Sequence, residues 1–88
     1  MGFFISVPTR IEARQFETNN EADDANMNAL VDWIKDNGHR AMHNGTEIII
    51  STLEGNMRAE VKDWIIKGTR GEFYPCKPDV FAVKYRPE

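Results

Sequence analysis

The chain predicts an α+β domain, a mostly antiparallel and strongly curved sheet or half-barrel of about seven short strands with one helix (about 24–37) packed on it. Three observations carry this. One stretch has apolar residues at helical spacing, with Met27, Leu30, Val31 and Ile34 at i, i+3, i+4 and i+7. Elsewhere, short apolar or alternating runs are separated by glycines and prolines, the punctuation of strands. The links between those runs are too short for parallel crossovers, so neighbouring strands pair antiparallel. With many short strands and a single helix, a curled sheet whose opening the helix covers would hide its edges. A chain of 88 residues is one domain, near the lower end of what folds without staples.

In chain order, residues 3–7 and 10–16 read as two strands or one long bent strand around Pro8. Residues 18–25 are polar and acidic, a surface loop. Asp23 or Asp24 is the expected N-cap of the helix, and Asn37-Gly38 its stop. Trp33 should close the edge of the buried stripe. Residues 40–43 and 46–53 form a hairpin, for which Asn44-Gly45 predicts a type I′ turn. Ile48-Ile49-Ile50 is apolar on both faces, as in a central strand. Glu54-Gly55 turns the chain into a strand over 56–61, and Lys62-Asp63 turns it again. Residues 64–67 and 72–74 make a second hairpin around a loop bracketed by Gly68 and Gly71. Pro75 and Pro78 cannot donate to a ladder, so the chain leaves the sheet there or runs along its edge. Residues 79–86 read as a last strand with Phe81, Val83 and Tyr85 on one face.

Composition narrows the function classes. The single cysteine, Cys76, excludes an internal disulfide and leaves no thiol set for zinc, which fits a reducing, cytoplasmic setting. No apolar run reaches the ~18 residues that span a bilayer. Residues 1–8 lack the basic start of a signal peptide, and Gly2 with Ser6 only touches the myristoylation pattern. Net charge is −3, with four Lys/Arg against nine Asp/Glu in residues 1–57 and seven against five in 58–88. A dedicated nucleic-acid binder is usually basic, so only a local basic face in the C-terminal half is left for that role.

Several motifs carry a resemblance. Thr52-Leu53-Glu54-Gly55, Asp63-Trp64-Ile65-Ile66-Lys67-Gly68 and Gly71-Glu72-Phe73-Tyr74-Pro75-Cys76-Lys77-Pro78-Asp79, with Phe81 and Tyr85, resemble a widespread family of small tailed-phage and prophage proteins. Its members begin on a strand similar to residues 11–16. The likeness is firm over about the C-terminal 40 residues and loose over that first strand. It implies origin more than activity: a bacteriophage gene product at work in the host bacterial cytoplasm. One departure stands out. The family has Pro-Gly before Asp-Trp, and this chain has Val61-Lys62. Lysine is expected to refuse the positive φ that glycine accepts, so this turn should differ.

The candidate sites are few. Cys76 beside Lys77 could be an activated thiolate, but no histidine is near in sequence, and a small apolar role at a corner is the better reading. His39 and His43 on a strand would stand about 13 Å apart, too far to share a metal. Aromatic Trp64, Phe73, Tyr74, Phe81 and Tyr85 alternate with Lys67, Arg70, Lys77, Lys84 and Arg86, a mixture that base stacking can use. At strand spacing, however, most of those aromatics belong to the core, and Glu72 and Asp79 would repel phosphates. Glu72 is expected to pair with Lys67 or Arg70, and Asp79 to cap the turn after Pro78. No phosphate-cradling glycine pattern is present.

The resulting expectation is a non-enzymatic accessory protein without cofactor or metal, which acts by binding a host bacterial protein. Its face comprises Trp64, Lys67, Arg70, Glu72, Tyr74, Lys77 and Asp79, with Lys67, Arg70 and Lys77 around the exposed rim of the 68–71 loop beside Tyr74. A small-molecule or nucleotide pocket in the half-barrel is the alternative, followed by a nucleic-acid surface and a Cys76-dependent enzyme. An edge strand ending near Pro75 permits homodimerisation by strand pairing.

Overall fold

The apolar stripe and the strand runs resolve into two helices and six strands in the computed structural model, which describes residues 10–18 and 24–85. In order these are β1 (Glu12–Gln15), α1 (Ala25–Asp36), β2 (Ala41–His43), β3 (Ile48–Thr52), β4 (Gly55–Ala59), β5 (Trp64–Lys67), β6 (Phe73–Cys76) and α2 (Pro78–Lys84). The fold is α+β and every strand pair is antiparallel. Among the described residues there is no half-barrel. The strands form two three-stranded sheets, β1-β5-β6 and β2-β3-β4. The strand expected over 3–7 lies outside the described residues, as does Asp23.

Helix α1 buries the expected stripe, with Met27, Leu30, Val31 and Ile34 all withdrawn from water. Fully burying an aliphatic side chain of this kind stabilises by about 1.5–3 kcal/mol. Trp33 joins them, edge-on to Phe73 at 5.0 Å and 89°, while the Arg14 guanidinium lies 4.4 Å over its ring. The helix therefore packs on the face of the first sheet that carries Arg14, Ile65 and Phe73. Asp24 stands at the N-cap without a side-chain cap bond, and its carboxylate instead accepts from Asn28. Asn26 ties the helix start to the end of β1, since its Oδ1 accepts from the main-chain N–H of Glu17 at 2.8 Å.

The last element corrects the sequence reading. Residues 79–86 were expected as a strand, but Pro78–Lys84 is a helix. Pro78 presets helical φ at the first position, and Asp79 in the first turn opposes the positive end of the helix. Phe81 and Tyr85 alternate with Val83 as in a strand, yet they also stand four apart, on one helical face. That face covers the other side of the first sheet. Phe81 stacks on Trp64 at 4.2 Å and 6°, and the Tyr74 and Tyr85 hydroxyls meet at 3.5 Å. Ile66, which shares its sheet face with Trp64 and Tyr74, is fully buried outside the main core. One helix on each face explains why Ile65 and Ile66, which point to opposite sides, are both shielded.

Two turns also differ from expectation. His43 pairs with Ile48, so the β2–β3 connection has four residues and is no type I′ turn. Gly45 alone takes positive φ there, and Asn44 Oδ1 accepts from the N–H groups of Thr46 and Glu47. Lys62, in turn, does adopt the left-handed conformation expected to be closed to it, at φ +81°. It is held on both sides: its N–H donates to the Phe16 carbonyl, and its carbonyl accepts from Gln15 Nε2 at 3.0 Å. A left-handed non-glycine residue costs about 1–2 kcal/mol, partly offset in glycine by the greater freedom of the unfolded chain. Lys62→Gly should therefore raise stability by about 0.5–1 kcal/mol in chemical denaturation.

Candidate functional site

Most of the 63–79 segment turns out to build the fold. Asp63 is buried, with 3% of its surface exposed. Its Oδ2 accepts from the main-chain N–H of Glu60 at 2.8 Å and meets Lys77 Nζ at 3.3 Å. Lys77 also bonds Glu60 at 3.2 Å, and these two carboxylates, Glu60 foremost, hold its ammonium above the usual lysine range. Lys67 donates to Asn37 Oδ1 at 2.8 Å, pinning β5 to the end of α1. Trp64 is half-buried under Phe81. Asp79 lies exposed in the first turn of α2, where Lys77 and not Asp79 is the N-cap residue.

The expected cationic rim is not formed. Lys67 pairs with Phe73 at the loop end of the β5–β6 hairpin, whereas Trp64 pairs with Cys76 at the far end. Lys77 follows Cys76, so it stands at the opposite end of the hairpin from Arg70 and is engaged with carboxylates. Glu72 differs from expectation too. Its carboxylate takes the main-chain N–H of Arg70 at 3.1 Å and bonds neither the Arg70 guanidinium nor Lys67. It lies directly over Gly68, where any Cβ would collide with it. Gly68→Ala should displace that carboxylate and loosen the loop; increased hydrogen exchange at the Arg70 amide would report it.

The remaining candidates meet somewhere else. A groove of about 1150 Å³ opens between the two sheets. Residues 38–40, 51–54 and 57 line one wall, and residues 69, 70 and 72–74 the other. Arg70, Glu72 and Tyr74 of the sequence-derived face are thus in it, while Trp64, Lys67, Lys77 and Asp79 are not. Arg40, Leu53 and Met57 are among the lining residues that sequence reasoning missed. The tip of the β3–β4 hairpin explains part of its own motif: Thr52 Oγ1 donates to the Gly55 carbonyl at 2.6 Å and accepts from Glu54 N–H, and Gly55 sits at φ +113°. Leu53 has no such role. It is wholly exposed at the tip, and that is the signal the motif held.

Tyr74 is half-buried between the groove and α2. Desolvation first, then its contact with Tyr85, pushes its phenol up to about 12. Because the folded value is raised, the neutral phenol's contribution is present below the ordinary tyrosine range near pH 10 and is lost as pH rises toward 12. In an alkaline absorbance titration, the signal lost in Tyr74→Phe should appear at about pH 12. Cys76 is half-buried, and burial pushes its thiol up, the wrong direction for a nucleophile. The two histidines serve separate contacts: His39 is edge-on to Phe73 at 5.2 Å, and His43 Nε2 meets Asn28 Oδ1 at 2.7 Å.

Comparison with protein-family models, curated proteins and solved structures finds no match.

Proposed function

We propose that the protein is a small bacteriophage accessory protein of the host cytoplasm that acts by binding, without catalysis, and that a host bacterial protein docks in the groove between the two sheets. The observation that carries this reading is the groove itself. It is open, lined by the exposed Leu53 and the part-exposed Met57, and it gathers Arg70 and Tyr74 from the motif region. Small-ligand pockets enclose roughly 300–1,000 Å³ and bury most of the ligand. At about 1150 Å³ and open to solvent, this groove suits an extended protein segment better than a nucleotide or metabolite.

Affinity capture from host lysate, with mass spectrometry of proteins and co-eluting small molecules, tests the reading. Wild-type protein should retain a host protein that Leu53→Asp loses, while both melt alike because Leu53 supports nothing in the fold. A metabolite retained without any protein would favour the sequestering alternative instead. Homodimerisation through β6 has a built-in handicap: Pro75 lies within this edge strand and lacks an N–H to offer a second copy.

A further inference from the structure

We infer that the groove recognises carboxylates on an extended acidic segment of its partner, received by Arg40 on one wall and Arg70 on the other; the inference rests on the binding role proposed above. Other arginines of the structure are committed. Arg14 bonds Glu12 at 3.1 Å and covers Trp33, and Arg58 meets Glu47 at 3.4 Å. The guanidiniums of Arg40 and Arg70, by contrast, make no hydrogen bond or ion pair among the described residues, and both line the same groove.

Their setting is suited to the task. Glu72 fixes the Arg70 backbone through its N–H, so the loop is anchored while the side chain stays exposed. The carboxylate that might have quenched Arg70 is thereby spent on the main chain. A guanidinium offers a planar fork of donors that matches a carboxylate bidentately. A polyphosphate would meet Glu54 and Glu72 in the same lining, on a chain of net charge −3. A peptide avoids this conflict, because it can place single carboxylates at the arginines and apolar side chains against Met57 and Leu53.

The test is selection of a random 12-residue peptide display library on the immobilised full chain, followed by fluorescence anisotropy with the best synthetic peptide. The selected peptides should be enriched in Asp and Glu. Arg40→Gln with Arg70→Gln should weaken binding at least tenfold, as should Gln in place of the peptide's acidic residues. Both arginines are exposed, so the double variant should melt like the wild type. Peptides without acidic enrichment that still lose binding in Leu53→Asp would overturn the carboxylate inference alone and leave the groove standing. No binders, or binders indifferent to Leu53→Asp and to both arginines, would overturn the inference and the binding role together. An oligothymidylate of 12 nucleotides that binds more tightly than any peptide, through the same arginines, would also overturn the inference.

Discussion

Phe73→Ala should come close to unfolding the domain. Phe73 is 3% exposed and joins the two packing systems of the core, edge-on to Trp33 from α1 and beside His39 at the entry to β2. Removing a buried phenylalanine costs about 3–5 kcal/mol, through lost transfer energy and the cavity left behind. Small domains have only about 5–15 kcal/mol in all. A thermal melt should shift down by roughly 12–40 °C, taking about 4–8 °C per kcal/mol for a domain of this size. Val83→Ala supplies the contrast. Val83 is 84% exposed on the outer side of α2, and its truncation should move stability by less than about 0.5 kcal/mol. Equal melts for the two variants would show that the first sheet is not packed as described.

Asp63→Ala should cost about 2–4 kcal/mol, since a hydrogen bond to a charged group contributes about 1.5–3 kcal/mol and loss of one partner strands the other. The stranded group is the Glu60 N–H, in the turn that also holds Lys62 at positive φ. Lys77 contributes less, because its side chain is 56% exposed and keeps Glu60 as a partner. Asp63→Asn separates the two effects. The amide oxygen can still accept from Glu60 N–H, so this variant should lose only the ion pair and melt closer to the wild type than Asp63→Ala does. The raised Lys77 value adds a pH signature. Its contribution is present below the ordinary lysine range and fades as pH rises through the raised value. Asp63→Ala should reduce that alkaline dependence without abolishing it, because Glu60, the larger cause, stays in place. If Asn proved as damaging as Ala, the ion pair and not the turn would be the stabilising element.

The parts of the fold legible in the sequence are those encoded locally. The four-residue stripe of α1 has one period and one helix satisfies it, and Asn37-Gly38 stops it as expected, with Gly38 at φ +86°. The β5–β6 hairpin likewise follows from two apolar runs and a glycine-bracketed loop. What was missed is either ambiguous or nonlocal. Phe81 and Tyr85 satisfy both a strand and a helix period, and the deciding signal was the Pro78-Asp79 start, which favours a helix. Pairing of β1 with β5 joins Gln15 to Trp64 across most of the chain, so nothing local distinguishes two sheets from one curled sheet.

The candidate site was half legible for the same reason. Arg70, Glu72 and Tyr74 belong to one recognisable segment, but Arg40, Leu53 and Met57 reach the groove only once the second sheet is placed beside the first. Lys77 and Asp79 adjoin that segment in sequence, but β6 carries them to the other end of the hairpin.

The proposed docking surface is tested most directly by site-specific photo-crosslinking in host cells, with p-benzoylphenylalanine replacing Leu53 in one variant and Val83 in another. Both positions are exposed, one at the mouth of the groove and one on the outer face of α2. A discrete adduct with a host protein from position 53, and none from position 83, is the expected result. Adducts from position 83 alone, or from neither position, would contradict the groove as the surface through which the protein acts.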